Sequence, residues 1–280
     1  MQIDCNEAAR FLKDNDNYLI LTHQSPDGDT MGSGFGLCMA LRQMGKKANV
    51  LCSDEFPKRY KFMHNDYEIQ KFTPDKIISV DIADINLLGT KLFQYGDYVD
   101  LCIDHHKSNT GYAKATLLNS EASAACEVLY ELLVCMNTTI NTRIAECIYT
   151  GIATDTGCFK YSNTTKRAHI IAAELMDYNV PMERINRDMF DVKSKARITV
   201  ESFITSNIEY YLDDKCAMIA ITNDTIENSG ATSDDFEGIS NLTLQLESVQ
   251  VGVTIKERSD GKFKVSMRST SDVDVSDICA

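Results

Sequence analysis

The stretch YLILTHQSPDGDTMGSGFGLCMALRQMG, residues 18–45, decides the fold. Its first residues form an unbroken apolar run of strand length, and from Thr30 apolar residues recur at helical spacing up to Gly45. A loop joins them, and Pro26 and Gly28 within it, with Gly32 just beyond, read as turn residues. Turn geometry does not require His23 beside Asp27 and Asp29. A strand, a loop and a helix in this order make a β-loop-α unit, and the reactive side chains gather where its strand stops.

The pattern recurs outward from that unit. KANVLCS (47–53), KIISVDIAD (76–84) and YVDLCIDHH (98–106) read as strands, the last two ending at Asp81 and Asp104. Residues 4–15 read as a helix, as do SEASAACEVLYELLVCM (120–136), NTRIAECIYTGIATDTG (141–157) and TTKRAHIIAAELMDYN (164–179). Strands alternating with helices predict an α/β fold with a mostly parallel sheet. Residues 182–212 contain no Pro or Gly and predict a long or once-broken helix connecting two domains. Beyond it CAMIAIT (216–222), VQVGVTIKE (249–257) and FKVSMRS (263–269) are strand-like, the last two joined by a hairpin turn at Asp260-Gly261. The expected division is 1–190, a helical linker over 191–211, and a smaller α/β domain over 212–280.

Composition narrows the function. The 280 residues are 44% hydrophobic and 25% charged, ordinary for a folded chain. The N-terminus is acidic rather than signal-like, and no apolar run reaches the ~18 residues of a membrane span. The ten cysteines never form a C-x-x-C pair, so structural zinc is not expected. Cys38, Cys102, Cys126, Cys135 and Cys147 read as small buried hydrophobes in a reducing, cytoplasmic setting. The net charge of −13 argues against long duplex nucleic acid and leaves room for a small anionic substrate met by local positive charge.

In an open parallel sheet, ligands bind beyond the carboxyl ends of the strands. His23, Asp81 and the Asp104-His105-His106 triplet would therefore share one crevice, joined by Asp155 from the end of a helix. Singly, each residue has an ordinary reading as a turn, a cap or a core histidine, and His64 and His169 keep that reading. Together, several carboxylates in one partly buried crevice would force some to stay protonated unless cations were present. Mixed imidazole and carboxylate ligands suit Mn²⁺, with Mg²⁺ and Co²⁺ as alternatives.

Four separated motifs, THQSPDGDTMGS, SVDIAD, IDHH and TDTGCF, resemble those of the DHH phosphoesterases in order and context. The tail, with GISNLTLQLESVQVGVTIKE and KVSMRS, is similar to the DHHA1 domain of the short oligoribonuclease and pAp-phosphatase branch. The resemblance implies an active site in the cleft between two domains. It implies one Mn²⁺ on His23, Asp27 and Asp81 and a second on Asp29, Asp81, His105 and Asp155, activating a bridging water. His106 would face the substrate phosphate, with exchange of His105 and His106 as the alternative, and Asp104 would orient its neighbours. Arg268 matches the S-x-R-S arginine that contacts substrate, with Ser269 and Ser266 as weaker candidates.

The implied substrates are very short oligoribonucleotides, including linear dinucleotides such as pApA, and pAp itself; a homodimer is compatible with this. A glycine-rich segment with a histidine normally follows in that branch, whereas this chain stops at DVDVSDICA, so its DHHA1 domain reads as truncated. A family II inorganic pyrophosphatase and a non-catalytic nucleotide-binding protein are the alternative readings.

Overall fold

The four residues Tyr18–Leu21 (β1) are buried without exception, which a strand achieves only when both faces of its sheet are covered. Tyr18 and Ile20 pack into one cluster and Leu19 and Leu21 into another. The computed structural model describes residues 1–280 apart from 237, 259, 260, 271, 272, 274, 276, 277, 279 and 280. It divides into two units, Met1–Asp191 and Val192–Ala280.

In the first unit, α1 (Cys5–Asp14) starts with a capping box between Asp4 and Glu7. After β1 come α2 (Gly28–Gln43), β2 (Ala48–Leu51), a short α3 (Lys61–His64), β3 (Lys76–Val80), a short α4 (Gly89–Leu92) and β4 (Leu101–Asp104). They are followed by β5 (Ala115–Leu118), α5 (Ala125–Cys135), α6 (Thr142–Asp155), α7 (Lys166–Met176) and α8 (Met182–Asn186). All five strands run parallel, in the order β2-β1-β3-β4-β5. The chain leaves β1 toward one edge and β3 toward the other, so their outgoing loops diverge and open a crevice between the two strand ends.

Strand β5 has no counterpart among the expected strands. It is four residues long, as are β1, β2 and β4, and follows a turn at Gly111, where φ is +67°. A second difference concerns α2. Gly28 and Gly32 are helical, not turn residues, because the Asp27 carboxylate caps the helix by accepting from the Asp29 and Thr30 amides.

Gly28, Gly32 and Gly36 recur at four-residue spacing on the face that meets α6. A methyl group at Gly32 would lie 2.4 Å from the Cys147 carbonyl oxygen, and one at Gly28 would lie 2.2 Å from Thr154 Oγ1. These glycines bring two helix backbones together at a distance that larger residues prevent.

Of the long or once-broken helix expected over 182–212, the structure has the broken form. After α8 the backbone forms a π-helical turn over Arg187–Asp191, and Ser194 then caps α9 (Lys195–Ser206). The side chain of Ser194, not a Pro or Gly, supplies the start signal. Residues 209–211, read as helix end, form the strand β6 (Glu209–Tyr211).

In the second unit β6, β7 (Cys216–Ile221), β8 (Val251–Glu257) and β9 (Phe263–Ser269) make a mixed sheet in that order, with β7 and β8 parallel. Helix α10 (Asn223–Ser229) lies between β7 and β8 in sequence. Within the segment expected as the linker, Val200 and Ile204 are buried in this unit's own core with Ile219, Ile221 and Ile239. Asp260 of the expected hairpin turn, and most of the DVDVSDICA tail, lie outside the described residues.

Candidate metal centre

Each reactive side chain stands at the end of an element. His23 lies two residues beyond β1, Asp81 directly follows β3, and Asp104 closes β4 with His105 and His106 behind it. Asp27 and Asp29 open α2, and Asp155 closes α6. Because β1 and β3 are neighbours, His23 and Asp81 face each other across the divergent crevice. Asp81 takes φ +59°, a left-handed conformation that turns its carboxylate out of the strand direction, while its amide donates to the Ile103 carbonyl at 3.0 Å.

The carboxylate of Asp81 lies between two imidazoles. Oδ2 is 3.5 Å from His23 Nε2, and Oδ1 is 3.6 Å from His105 Nε2. His23 Nε2 is also 3.6 Å from Asp27 Oδ1, and His105 Nε2 is 3.8 Å from Asp29 Oδ2 and 3.7 Å from Asp155 Oδ2. These separations exceed good hydrogen bonds, whose N···O distances are about 2.7–3.2 Å. They are close to the ~3–3.5 Å between adjacent ligands that each lie ~2.1 Å from one cation. Three sets of donors fall within 4.8 Å of one another: His23, Asp27 and Asp81; Asp29, His105 and Asp155; and Asp81, His105 and His106. The donor set fits divalent cations.

Electrostatics point the same way. Burial alone would depress His23, but facing Asp27 and Asp81 raises it to about 11. His105, likewise opposed by burial, rises to about 10 beside Asp81, Asp29 and Asp155. Burial pushes Asp155 up to about 6, His105 draws it partly back, and Asp81 adds to the rise.

Asp29 is almost fully buried and is pushed well above the carboxylate range by that burial and by the charges of Asp81 and Asp155. Opposing this, its two oxygens accept from the Ala125 and Cys126 amides at 2.6 and 2.9 Å, at the positive end of α5. The chain thus clamps Asp29 in place while leaving the charge balance unfinished.

Cation binding needs neutral imidazoles and ionised carboxylates, so it must displace the protons this arrangement retains. Apparent affinity for Mn²⁺ is therefore expected to fall as pH drops from about 9 to about 6, with net proton release when titrations are compared in buffers of different ionisation enthalpy. Affinity independent of pH, without proton release, would mean that the ions bind elsewhere.

Behind the donors stands Asp104, fully buried at the end of β4. Its Oδ1 accepts from the His105 amide at 2.8 Å and lies 2.8 Å from His106 Nδ1. Asp104 is held below the usual carboxylate range: burial opposes this, but His106 and Asn109 overcome it. Sequence reasoning passed over Asn109, Asn163 and the α5 amides. Asn109 follows the histidine pair in DHHKSN and bonds Asp104, while Asn163 donates to the Asp155 carbonyl at 3.1 Å. Backbone amides leave no trace in side-chain identity; Asn109 had the signal of an asparagine at fixed distance from Asp104.

His64 and His169 stand apart from the donors, stacked on Phe35 and Phe159 at 5.3 and 5.0 Å. In the second unit Arg268 is exposed on β9, its Nη1 donating to the Met267 carbonyl at 3.0 Å. Among the described residues no helix is long and apolar enough to cross a membrane.

Known proteins resemble this chain in sequence and fold. Residues 17–152 match the DHH family, N-terminal domain. The bifunctional oligoribonuclease and PAP phosphatase NrnA of Thermus thermophilus is 28% identical over 267 residues, covering 92% of this chain and 78% of its own length. The protein of the same name from Bacillus subtilis is 25% identical over 272 residues, covering 95% and 86%. An exopolyphosphatase-related protein from Bacteroides fragilis superposes with a TM-score of 0.87 at 26% identity, over 95% of this chain and 83% of the other.

Proposed function

We propose that this chain, a DHH-family phosphoesterase through its residues 17–152, hydrolyses very short oligoribonucleotides to 5′-mononucleotides and converts pAp to AMP, using two Mn²⁺ ions. The observation that carries the reading is the convergence of six side chains from three strand ends and two helices at ion-sharing distances. His23, Asp27 and Asp81 would hold one ion, and Asp29, Asp81, His105 and Asp155 the other, with Asp81 common to both. Paired divalent cations supply Lewis acidity to phosphoryl oxygens and make water nucleophilic near neutral pH.

The protein's own part is to hold and orient. The α5 amides fix Asp29, and Asp104 fixes the Nδ1 side of His106, so that Nε2 on the far side of the ring is free to meet a phosphate oxygen. Arg268 is proposed to pair with a terminal phosphate through parallel hydrogen bonds, with Ser269 beside it in sequence. The net charge of −13 supports small substrates over long strands. A cytoplasmic location belongs to the same proposal, supported by the free cysteines.

The decisive experiment incubates a 5′-phosphorylated RNA dinucleotide, pAp and pyrophosphate separately with the protein, with Mn²⁺ or with chelator. Mononucleotide release that requires Mn²⁺ is expected. Phosphate from pyrophosphate alone would replace the reading by a pyrophosphatase, and no product from any of the three would refute turnover of these substrates. Arg268→Ala is expected to raise KM for the dinucleotide about tenfold or more with metal content unchanged, since a charged hydrogen-bonding partner is lost. Unaltered kinetics would remove Arg268 from the site.

A further inference from the structure

The loop behind the two histidines contains an unassigned contact. Asn109 Nδ2 donates to Asp104 Oδ2 at 2.5 Å, while Asn109 Oδ1 accepts from the Gly111 amide at 2.9 Å. The second contact is an ordinary Asx turn, which explains an asparagine or aspartate at this position. It does not explain why the amide end, which also lies 3.4 Å from the Ile82 carbonyl and 3.6 Å from Cys102 Sγ, makes its short bond to a fully buried carboxylate. On its other oxygen that carboxylate meets His106 Nδ1 at 2.8 Å and the backbone amides of His105 and His106 at 2.8 and 3.3 Å. Both Asp104 oxygens are thereby occupied from fixed directions, and the carboxylate plane has no freedom to rotate away from the imidazole.

We propose that Asn109 is a positioning residue that acts through Asp104 to lock the ring of His106 with its Nδ1–H toward Asp104 and its Nε2 toward substrate. The inference rests on the reading of His106 as the residue that meets the phosphate. Three groups in series, amide to carboxylate to imidazole, fix which ring nitrogen bears the inward hydrogen and hold the ring plane. His106 is partly exposed, so its own packing is insufficient to hold it. Without Asn109, Asp104 Oδ2 would be buried with one partner fewer, and the carboxylate would turn to recover it.

Asn109→Ser is the discriminating variant, because serine can still accept from the Gly111 amide but is too short to reach Asp104. Thr110→Val is its control: it removes a neighbouring bond to the Ala83 carbonyl without touching Asp104. The chain contains five histidines, so ¹⁵N-histidine labelling with long-range ¹H–¹⁵N correlation resolves the ring nitrogens in protein loaded with diamagnetic Mg²⁺ in place of Mn²⁺, His106 being identified by its loss in His106→Gln. In the wild-type protein His106 is expected to show one species with Nδ1 protonated. In Asn109→Ser that signal should broaden or give way to a mixture, with kcat for the dinucleotide reduced about 10- to 100-fold and KM and bound metal near wild type.

An Nδ1 without its proton in the wild-type protein would overturn the proposal even if the variant failed to fold. So would an Asn109→Ser protein with the wild-type signature and kcat. The ring signature is read without substrate. A wild-type protein that showed it but turned over no nucleotide would refute the proposed function and leave the positioning contact standing.

Discussion

Asp81→Asn is expected to reduce phosphoester hydrolysis by about a thousandfold or more while the protein remains folded. Asp81 carries the largest share of the proposed chemistry, because its two oxygens point separately at the two imidazoles. Asparagine is chosen over alanine for a backbone reason. At φ +59° asparagine is among the few residues that adopt this conformation readily; its side chain keeps the volume, and the backbone N–H keeps its bond to the Ile103 carbonyl. What disappears is the negative charge that both ions would share. The check is kcat/KM on the dinucleotide with bound metal by elemental analysis and a thermal melt of the metal-free protein. A folded variant retaining more than about a tenth of wild-type activity would remove Asp81 from its shared role.

The second large effect is structural. Gly32→Val is expected to destabilise the protein by about 3 kcal/mol or more, beyond ordinary overpacking because the obstruction is backbone and cannot yield by changing rotamer. Its new carbon would meet the Cys147 carbonyl oxygen at 2.4 Å and Cys126 Sγ at 2.9 Å. Metal affinity should fall with stability, since α2 carries Asp29 and α6 carries Asp155, and separating the helices separates the donors. Gly45→Ala is the comparison. Gly45 has φ +81° but no atom near its missing side chain, so the expected loss is about 1 kcal/mol with activity retained. Equal melting temperatures for the two variants would contradict the close helix approach.

The contrast between Gly32 and Gly45 also shows how far sequence reading reaches. Glycine at a helix end and glycine at a helix crossing are the same letter, and only the partner helix distinguishes them. His23, Asp81 and the triplet at 104–106 were legible because packing and turn geometry seldom place several ligand-type residues at the end of an apolar run. The four-residue β5 was not, since its place beside β4 depends on pairing rather than on its own pattern. A break was among the expectations for 182–212, but its position before α9 was not legible, because a serine cap resembles any other serine until the helix after it is known. The amides that hold Asp29 belong to residues whose side chains, alanine and cysteine, carry no hint of the task.

The distribution of the donors along the chain has a kinetic meaning. They lie between His23 and Asp155, nearly half the chain apart, on elements that meet only when the parallel sheet and the α2–α6 pair have formed. Parallel pairing closes long loops and is slow, so ion sites built from these donors would be completed late in folding, and the unfolded chain would offer no cluster spanning them. A cation that binds only the finished arrangement stabilises it by mass action, in proportion to the logarithm of its free concentration. Cation supply would then govern how long the protein survives local opening and proteolysis as well as how fast it works.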